Sequence, residues 1–241
     1  IRSAEMAKHA SNAFLATSIS FINQIADLSE LLGADALEVA RILKLDKRIG
    51  RHAFLSPGLG YAGGTLGRDV RALQHYGNSG GADTSLLDAV TDQNARRARL
   101  PARRLSSLLA GLAKRRIGVL GLTYKPGTST MRRAMSLMVI SELVEQGASV
   151  AAFDPIADLT EVPQLPPMRI GADPYDVAKD CDALVLITEW DGIDKVDWHR
   201  VRSLMAGDVF LDTRNILDAD RIVEAGFRYY GIGRQLSWAQ T

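Results

Sequence analysis

Residues 117–128 read I-G-V-L-G-L-T-Y-K-P-G-T, an aliphatic, β-branched run that ends in a turn of glycine, proline and lysine. Downstream of it, short strand-forming runs recur between helical segments: S-V-A-A-F-D at 149–154, D-A-L-V-L-I-T at 182–188, D-V-F-L-D at 208–212 and F-R-Y-Y-G-I-G at 227–233. A helix is expected over 131–146. This alternation predicts a doubly wound parallel sheet over 113–241. Upstream the pattern is different, because nothing in residues 1–112 resembles a strand of any length. Met6, Ala7, Ala10, Phe14, Ile22, Ile25 and Leu28 recur at helical spacing, so a long helix is expected over 4–32, stopped by Gly33. Further helices are expected over 35–43 and 68–76. After the flexible G-N-S-G-G of 77–81, one more is expected from Ser85 towards Leu112, kinked at Pro101. The fold class is therefore an all-helical unit followed by a Rossmann-like α/β unit.

The composition is that of a globular protein: 241 residues, 46% hydrophobic, with 29 basic against 28 acidic side chains. No apolar run approaches the roughly 18 residues of a membrane span, and no basic-then-apolar leader opens the chain, so neither membrane embedding nor export is expected. The single cysteine, Cys181, excludes an internal disulfide and a multi-cysteine metal site, and points to a reducing, cytoplasmic compartment. It lies at the entry to an apolar strand and reads as a core residue. His9, His52, His75 and His199 show no ligand spacing, so no metal is expected. Residues 1–116 carry 17 basic and 10 acidic side chains, and 117–241 carry 12 and 18. Eight of the basic ones fall between Arg96 and Arg116. They lack interleaved aromatic residues and any nucleic-acid-binding signature, and read as a solvated helix or interface rather than a polyanion site. The chain opens on Ile1 inside a helical pattern, which reads as a fragment of something longer.

Residues 45–67 hold six glycines and Pro57 among 23 positions, with Phe54, Leu55, Tyr61 and Leu66 embedded. A loop of that length in a compact protein is expected to fold over a ligand, with backbone N–H groups made approachable by glycine. Lys8 and Asn12, four residues apart on one helix face, can hold an oxygen or stand as ordinary surface groups. Asp69 follows Arg68 at a helix start, where capping alone would explain it. The turn G-V-L-G-L-T-Y-K-P-G-T lacks the G-x-G-x-x-G spacing of a dinucleotide site. Lys125 and Arg214 nonetheless lie beyond the carboxyl ends of two strands, where open α/β sheets bind ligands and where two cations suit phosphates or base carbonyls. Asp154, at the end of another strand, reads as a cap.

These segments together resemble the UDP-glucose/GDP-mannose dehydrogenase family. The resemblance rests on A-E-M-A-K-H-A-S-N-A-F-L-A-T-S-I-S-F-I-N-Q-I-A-D-L (4–28), D-K-R-I-G-R-H-A-F-L-S-P-G-L-G-Y-A-G-G (46–64), G-V-L-G-L-T-Y-K-P-G-T, A-F-D-P, L-I-T-E-W, D-T-R-N-I and Y-Y-G-I-G, and it runs through nearly the whole chain. It implies a helical central, dimerising domain over 1–112 and a nucleotide-sugar (UDP) binding domain over 113–241. The family's amino-terminal NAD-binding domain is not among these residues. It implies a homodimer, a nucleotide-sugar substrate, no nucleic-acid or membrane partner, and NAD-dependent oxidation of the sugar C6 alcohol. By position, Lys8 and Asn12 would steady oxyanions at C6, and Asp69 would assist proton transfer or orient water. Phe54, Leu55, Gly58 and Tyr61 would cradle the sugar diphosphate, with Tyr124, Lys125 and Arg214 near the nucleotide or sugar. Arg48 would reach into the partner's site, and Arg132 would contact the NAD diphosphate.

One position departs from the family pattern. Where the family reads G-G-S-C-F-P-K-D, this chain reads A-G-G-T-L-G-R-D at 62–69, so Thr65 stands where the nucleophilic cysteine is expected and Arg68 where lysine is expected. A threonine hydroxyl is a far weaker nucleophile than a thiol that is already a few per cent thiolate at neutral pH. The sequence then supports two readings. One is a dehydrogenase that stops at the aldehyde or hydrates it directly, and the other is a non-catalytic nucleotide-sugar-binding or dimer-scaffold homologue.

Overall fold

A computed structural model of the protein describes residues 2–234. The helical part comprises α1 (Arg2–Leu32), α2 (Ala36–Leu45), α3 (Leu66–Gly80), α4 (Ser85–Arg97) and α5 (Leu100–Leu108). It is followed by β1 (Arg116–Leu120), α6 (Met135–Glu145), β2 (Ser149–Phe153), β3 (Arg169–Ile170), α7 (Pro174–Ala178), β4 (Ala183–Leu186), α8 (Trp198–Leu204), β5 (Val209–Asp212), α9 (Ala219–Glu224) and β6 (Arg228–Gly231). All strand pairs are parallel, in the order β3-β2-β1-β4-β5-β6. This is the doubly wound order in which ligands bind at the carboxyl edge, where the strand order reverses.

The strands read as near-continuous apolar runs because both faces of the sheet are covered. Ile117, Val119, Ala183, Val185, Val209 and Leu211 turn to one side, against Leu105 of α5 and Val139, Ile140 and Leu143 of α6. Leu120, Leu184, Leu186 and Phe210 turn to the other, against Val177, Val201 and Ile222 of α7, α8 and α9. The first of these layers continues into Ala26 of α1 and Ala36 of α2, so the helical part and the sheet share apolar packing.

Several sequence expectations shift. The segment expected as one helix from 85 towards 112 is two helices, and the break falls at Ala98–Arg99 rather than at Pro101. Pro101 sits in the first turn of α5, where its missing N–H would have had no helical partner anyway. Helix α3 begins at Leu66 rather than 68 and runs on through the glycine-rich 77–80 stretch that was expected to be flexible, ending on Gly81. There the Thr84 hydroxyl, bonded to Asn78 and Asp88, ties its last turn to α4. Helix α6 starts at Met135 rather than 131, and the short β3 carried no sequence signal long enough to see.

Along α1 the buried residues Ala13, Ala16, Ser20 and Ala26 are small, which lets α3 and α4 approach closely, while Ile22 packs with α2 and the loop. Three large apolar residues lie on another face: Phe14, Phe21 and Leu28, seven apart, are 71%, 48% and 47% exposed.

Candidate active site

The glycine-rich loop is pinned from below by side chains of α1 and α4. The Asn94 amide makes both hydrogen bonds to the Tyr61 backbone, its Oδ1 accepting from the N–H at 2.8 Å and its Nδ2 donating to the carbonyl at 3.0 Å. Arg97, buried at 3% exposure, donates through Nε and Nη2 to the Gly58 carbonyl at 3.2 and 2.9 Å and through Nη1 to Asp27 at 2.6 Å. Asn23 Oδ1 accepts from the Gly58 N–H at 2.8 Å and from Arg97 Nη2 at 3.2 Å. Burial pulls the Arg97 guanidinium below its ordinary value, and Asp27 opposes the pull. The sequence reading did not single out Asn23 or Asn94 and placed Arg97 in a basic stripe. The i, i+3 spacing of 94 and 97 was the only available signal, and it says nothing about the loop they meet.

The second lobe closes over the loop from above. The Gly63 N–H donates to the Arg133 carbonyl at 3.0 Å. Gly63 has φ +77°, and a Cβ there would lie 2.6 Å from the Tyr124 ring, so the ring packs directly on backbone. Between loop and lobe opens a cleft of about 570 Å³, lined among others by Phe54, Tyr61, Leu66, Tyr124, Lys125 and Arg214. The Lys125 ammonium sits 5.5 Å from the Tyr124 ring centroid, and Arg214 is held by Glu189 at 2.8 Å. Of the residues expected around the substrate, Phe54, Tyr61, Tyr124, Lys125 and Arg214 share this cleft. Leu55 packs underneath with Ile22 and Ala40, and Gly58 is the buried point that Asn23 and Arg97 grip, so these two shape the loop from within. Arg48 lies on the turn after α2, its side chain 89% exposed and paired with Asp46 at 2.6 Å. Arg132 is exposed on the segment before α6 and does not line the cleft.

One turn along α3 from Leu66, a second group of residues meets. Asp69 is fully buried, and its Oδ2 accepts from Asn12 Nδ2 at 2.5 Å. Its Oδ1 faces Arg68 Nε at 3.2 Å and His9 Nδ1 at 3.4 Å. The Asn12 hydrogen bond, helped by Arg68 and His9 and opposed by burial, holds the carboxyl below its ordinary range. Asp69 is thus a bridge between α3 and α1, not the helix cap that the sequence alone would accept. Lys8 is exposed on α1, one turn from Asn12. Thr65, the residue preceding α3, is exposed, and its hydroxyl makes no capping bond. Cys181 is no reactive thiol: it is buried, its Sγ is 3.0 Å from the Val177 carbonyl, and burial pushes the thiol up to about 12. The sequence reading passed over His9 for want of metal-ligand spacing, although 9 and 12 stand at i, i+3 on the face that meets Asp69.

The turn after β1 does not fit a dinucleotide. A Cβ on Gly121 would lie 1.9 Å from the Thr188 carbonyl oxygen, so this glycine serves the close approach of the chain after β4. The N–H groups of Leu122 and Thr123 are taken by Asp154 Oδ2 at 2.8 and 3.1 Å, and Asp154 also caps Ile156 and Ala157. Helix α6 begins only at Met135, too late to present its N-terminus to a phosphate at this turn. Among the described residues no group of three His, Cys, Asp or Glu is placed to hold a metal ion, and no helix is long and apolar enough to cross a membrane.

Comparison with known proteins bears on both lobes. Residues 2–96 match the family model described as UDP-glucose/GDP-mannose dehydrogenase family, central domain, and residues 118–219 match that family's UDP binding domain. A UDP-glucose 6-dehydrogenase of Pseudomonas aeruginosa is 39% identical over 240 residues, covering 97% of this chain and 53% of that protein. One from Rhizobium meliloti is 38% identical over 234 residues, covering 97% and 53%. Among solved structures, a UDP-glucose dehydrogenase from Pyrobaculum islandicum superposes with a TM-score of 0.85 at 33% identity, covering 97% of this chain and 52% of that one. The chain spans about half the length of the curated relatives it matches.

Proposed function

This chain belongs to the UDP-glucose/GDP-mannose dehydrogenase family, and we propose that it forms the substrate-binding and acid–base half of an NAD-dependent UDP-sugar 6-dehydrogenase. The observation that carries the proposal is the cleft in which Phe54 and Tyr61 of the loop face Tyr124, Lys125 and Arg214 of the UDP-binding lobe. Aromatic faces beside two cations suit a nucleoside diphosphate, and glycine-rich backbone from the loop suits the hexose between them. The residues divide into a helical central domain over 1–112 and a UDP-binding domain over 113–241.

Asn12 and Asp69 form the polar end of the site, and Lys8, one helical turn from Asn12, steadies oxygen at the sugar C6 as charge develops there. Thr65 stands at the nucleophile position without thiol chemistry, which favours oxidation that ends at the aldehyde or passes through its hydrate rather than a covalent adduct. NAD accepts the hydride in this family. Its binding falls mainly to the family's amino-terminal domain, with the exposed Arg132 contacting its diphosphate. Arg48 serves a partner's site in a homodimer formed through the exposed α1 face of Phe14, Phe21 and Leu28. The buried thiol and absent disulfide suit a cytoplasmic protein.

Titration calorimetry with UDP-glucose tests the cleft. Binding is expected, and Arg214→Ala should weaken it by about tenfold or more, the loss of one charge-assisted contact. Absence of any UDP-sugar binding overturns the reading. NADH formed per UDP-glucose by the intact protein then separates the outcomes: two marks full oxidation, one an aldehyde product, and none, with tight binding, a scaffold.

A further inference from the structure

The reaction proposed above leaves a chemical gap, since an aldehyde that cannot be captured by a thiol must gain water before it can be oxidised further. Water adds to a carbonyl efficiently only when a base takes its proton. Lys8, as a cation, cannot do so, and Asp69 has its carboxylate engaged on both oxygens and no exposed surface.

His9 lies beside that carboxylate. It lies on α1 three residues before Asn12, and the two side chains meet the same carboxylate from one helix face, Asn12 hydrogen-bonded at Oδ2 and His9 within ion-pair reach of Oδ1. Its Nδ1 is buried and lies 3.4 Å from Asp69 Oδ1, an approach without hydrogen-bond geometry. Its side chain is 24% exposed, so the ring is buried at one nitrogen and open to solvent elsewhere. A buried Nδ1 beside a carboxylate favours the tautomer that carries its proton there, leaving Nε2 as the free base. Asp69 from α3 faces the ring, Arg68 pairs with the same Asp69 oxygen, and Glu5 and Lys8 stand four and one residues before His9 on α1.

Resting on the UDP-sugar reading, we infer that His9, oriented by Asp69, is the general base that hydrates the C6 aldehyde in this protein. The water oxygen bonds to C6 while its proton passes to His9 Nε2. The carbonyl oxygen, steadied by Lys8 and Asn12, is protonated from solvent, and the product is the gem-diol. His9 then returns its proton to water, so the step is balanced and needs no oxidant. Thr65 takes no covalent part in it.

Because hydration is reversible, it can be measured without NAD as the washout of ¹⁸O from the labelled C6 aldehyde of UDP-glucose. The wild-type protein should accelerate washout, and His9→Gln should lose that acceleration by about a hundredfold, the usual scale of general-base catalysis, while binding UDP-glucose as before. Added imidazole should restore washout in His9→Ala, which a merely structural role would not permit. If the wild type binds UDP-glucose but washout is not accelerated, or His9→Gln keeps the acceleration, the His9 assignment falls and the UDP-sugar reading stands. If the wild type does not bind UDP-glucose, the reading itself falls. Should His9→Gln fail to fold, the imidazole rescue of His9→Ala decides the question.

Discussion

Asn12 and Asp69 are 57 positions apart, yet the amide of one donates to the carboxylate of the other at 2.5 Å, joining the long first helix to the turn in which the glycine-rich loop becomes α3. The contact fixes the side-chain direction of a fully buried carboxylate and places it beside the exposed Thr65 backbone turn, whose carbonyl accepts the Asp69 N–H at 3.1 Å.

The same contact makes stability depend on pH. Asp69 in the folded protein titrates below the ordinary carboxylate value of about 3.9, so its contribution is complete above that pH and is lost as pH falls through the folded value. Thermal unfolding of wild type and Asp69→Asn should therefore differ most at neutral pH and converge as pH falls below about 3.9. A gap that stays constant across that range would show that the carboxylate charge does not contribute.

Thr65→Cys tests what the position before α3 can do. The site is exposed and lies at a helix N-terminus, which favours thiolate, whereas Cys181 is buried with its thiol pushed up to about 12. Iodoacetamide should modify the introduced thiol at least about a hundredfold faster than Cys181, given that the thiolate is the reacting form. In the intact protein the variant should raise the share of fully oxidised product. Alkylation no faster than that of Cys181 would mean the position is shielded.

Gly63→Ala asks whether the Tyr124 ring needs bare backbone beneath it. The new methyl meets the ring at 2.6 Å, in a conformation that an L residue adopts only with strain. UDP-glucose affinity should fall about tenfold, roughly 1.4 kcal/mol. In a Tyr124→Ala background the same change should cost much less, because the colliding partner is gone. Equal losses in both backgrounds would place the cost in the backbone alone.

Phe21→Glu tests the exposed face of α1. Phe14, Phe21 and Leu28 repeat every seven residues on a helix whose opposite seam is already packed, and a stripe of that kind is an association surface. Sedimentation at micromolar concentration should show a dimer for the wild type and a monomer for the variant, with unchanged far-ultraviolet circular dichroism. A monomeric wild type would remove the dimer.

Local pattern alone was enough to read the helices of the first half and the parallel sheet of the second, because each depends on periodicity. Short continuous apolar runs such as A-L-V-L at 183–186, alternating with helical segments, suit strands covered on both faces, and six glycines within residues 45–67 mark a loop. Boundaries were less legible. Pro101 was expected to kink a helix and instead sits in the first turn of a new one, a choice set by how Leu100 and Leu105 pack beneath the sheet. Long-range pairing was not legible at all: that Arg97 grips the Gly58 carbonyl, that Tyr124 lies on Gly63, and that His9 and Asn12 share one carboxylate are consequences of how the chain closes on itself. Hydrogen-bond partners and buried charges are properties of three-dimensional proximity, and no one-dimensional pattern records which of several chemically equivalent side chains will end up within 3 Å of a given atom.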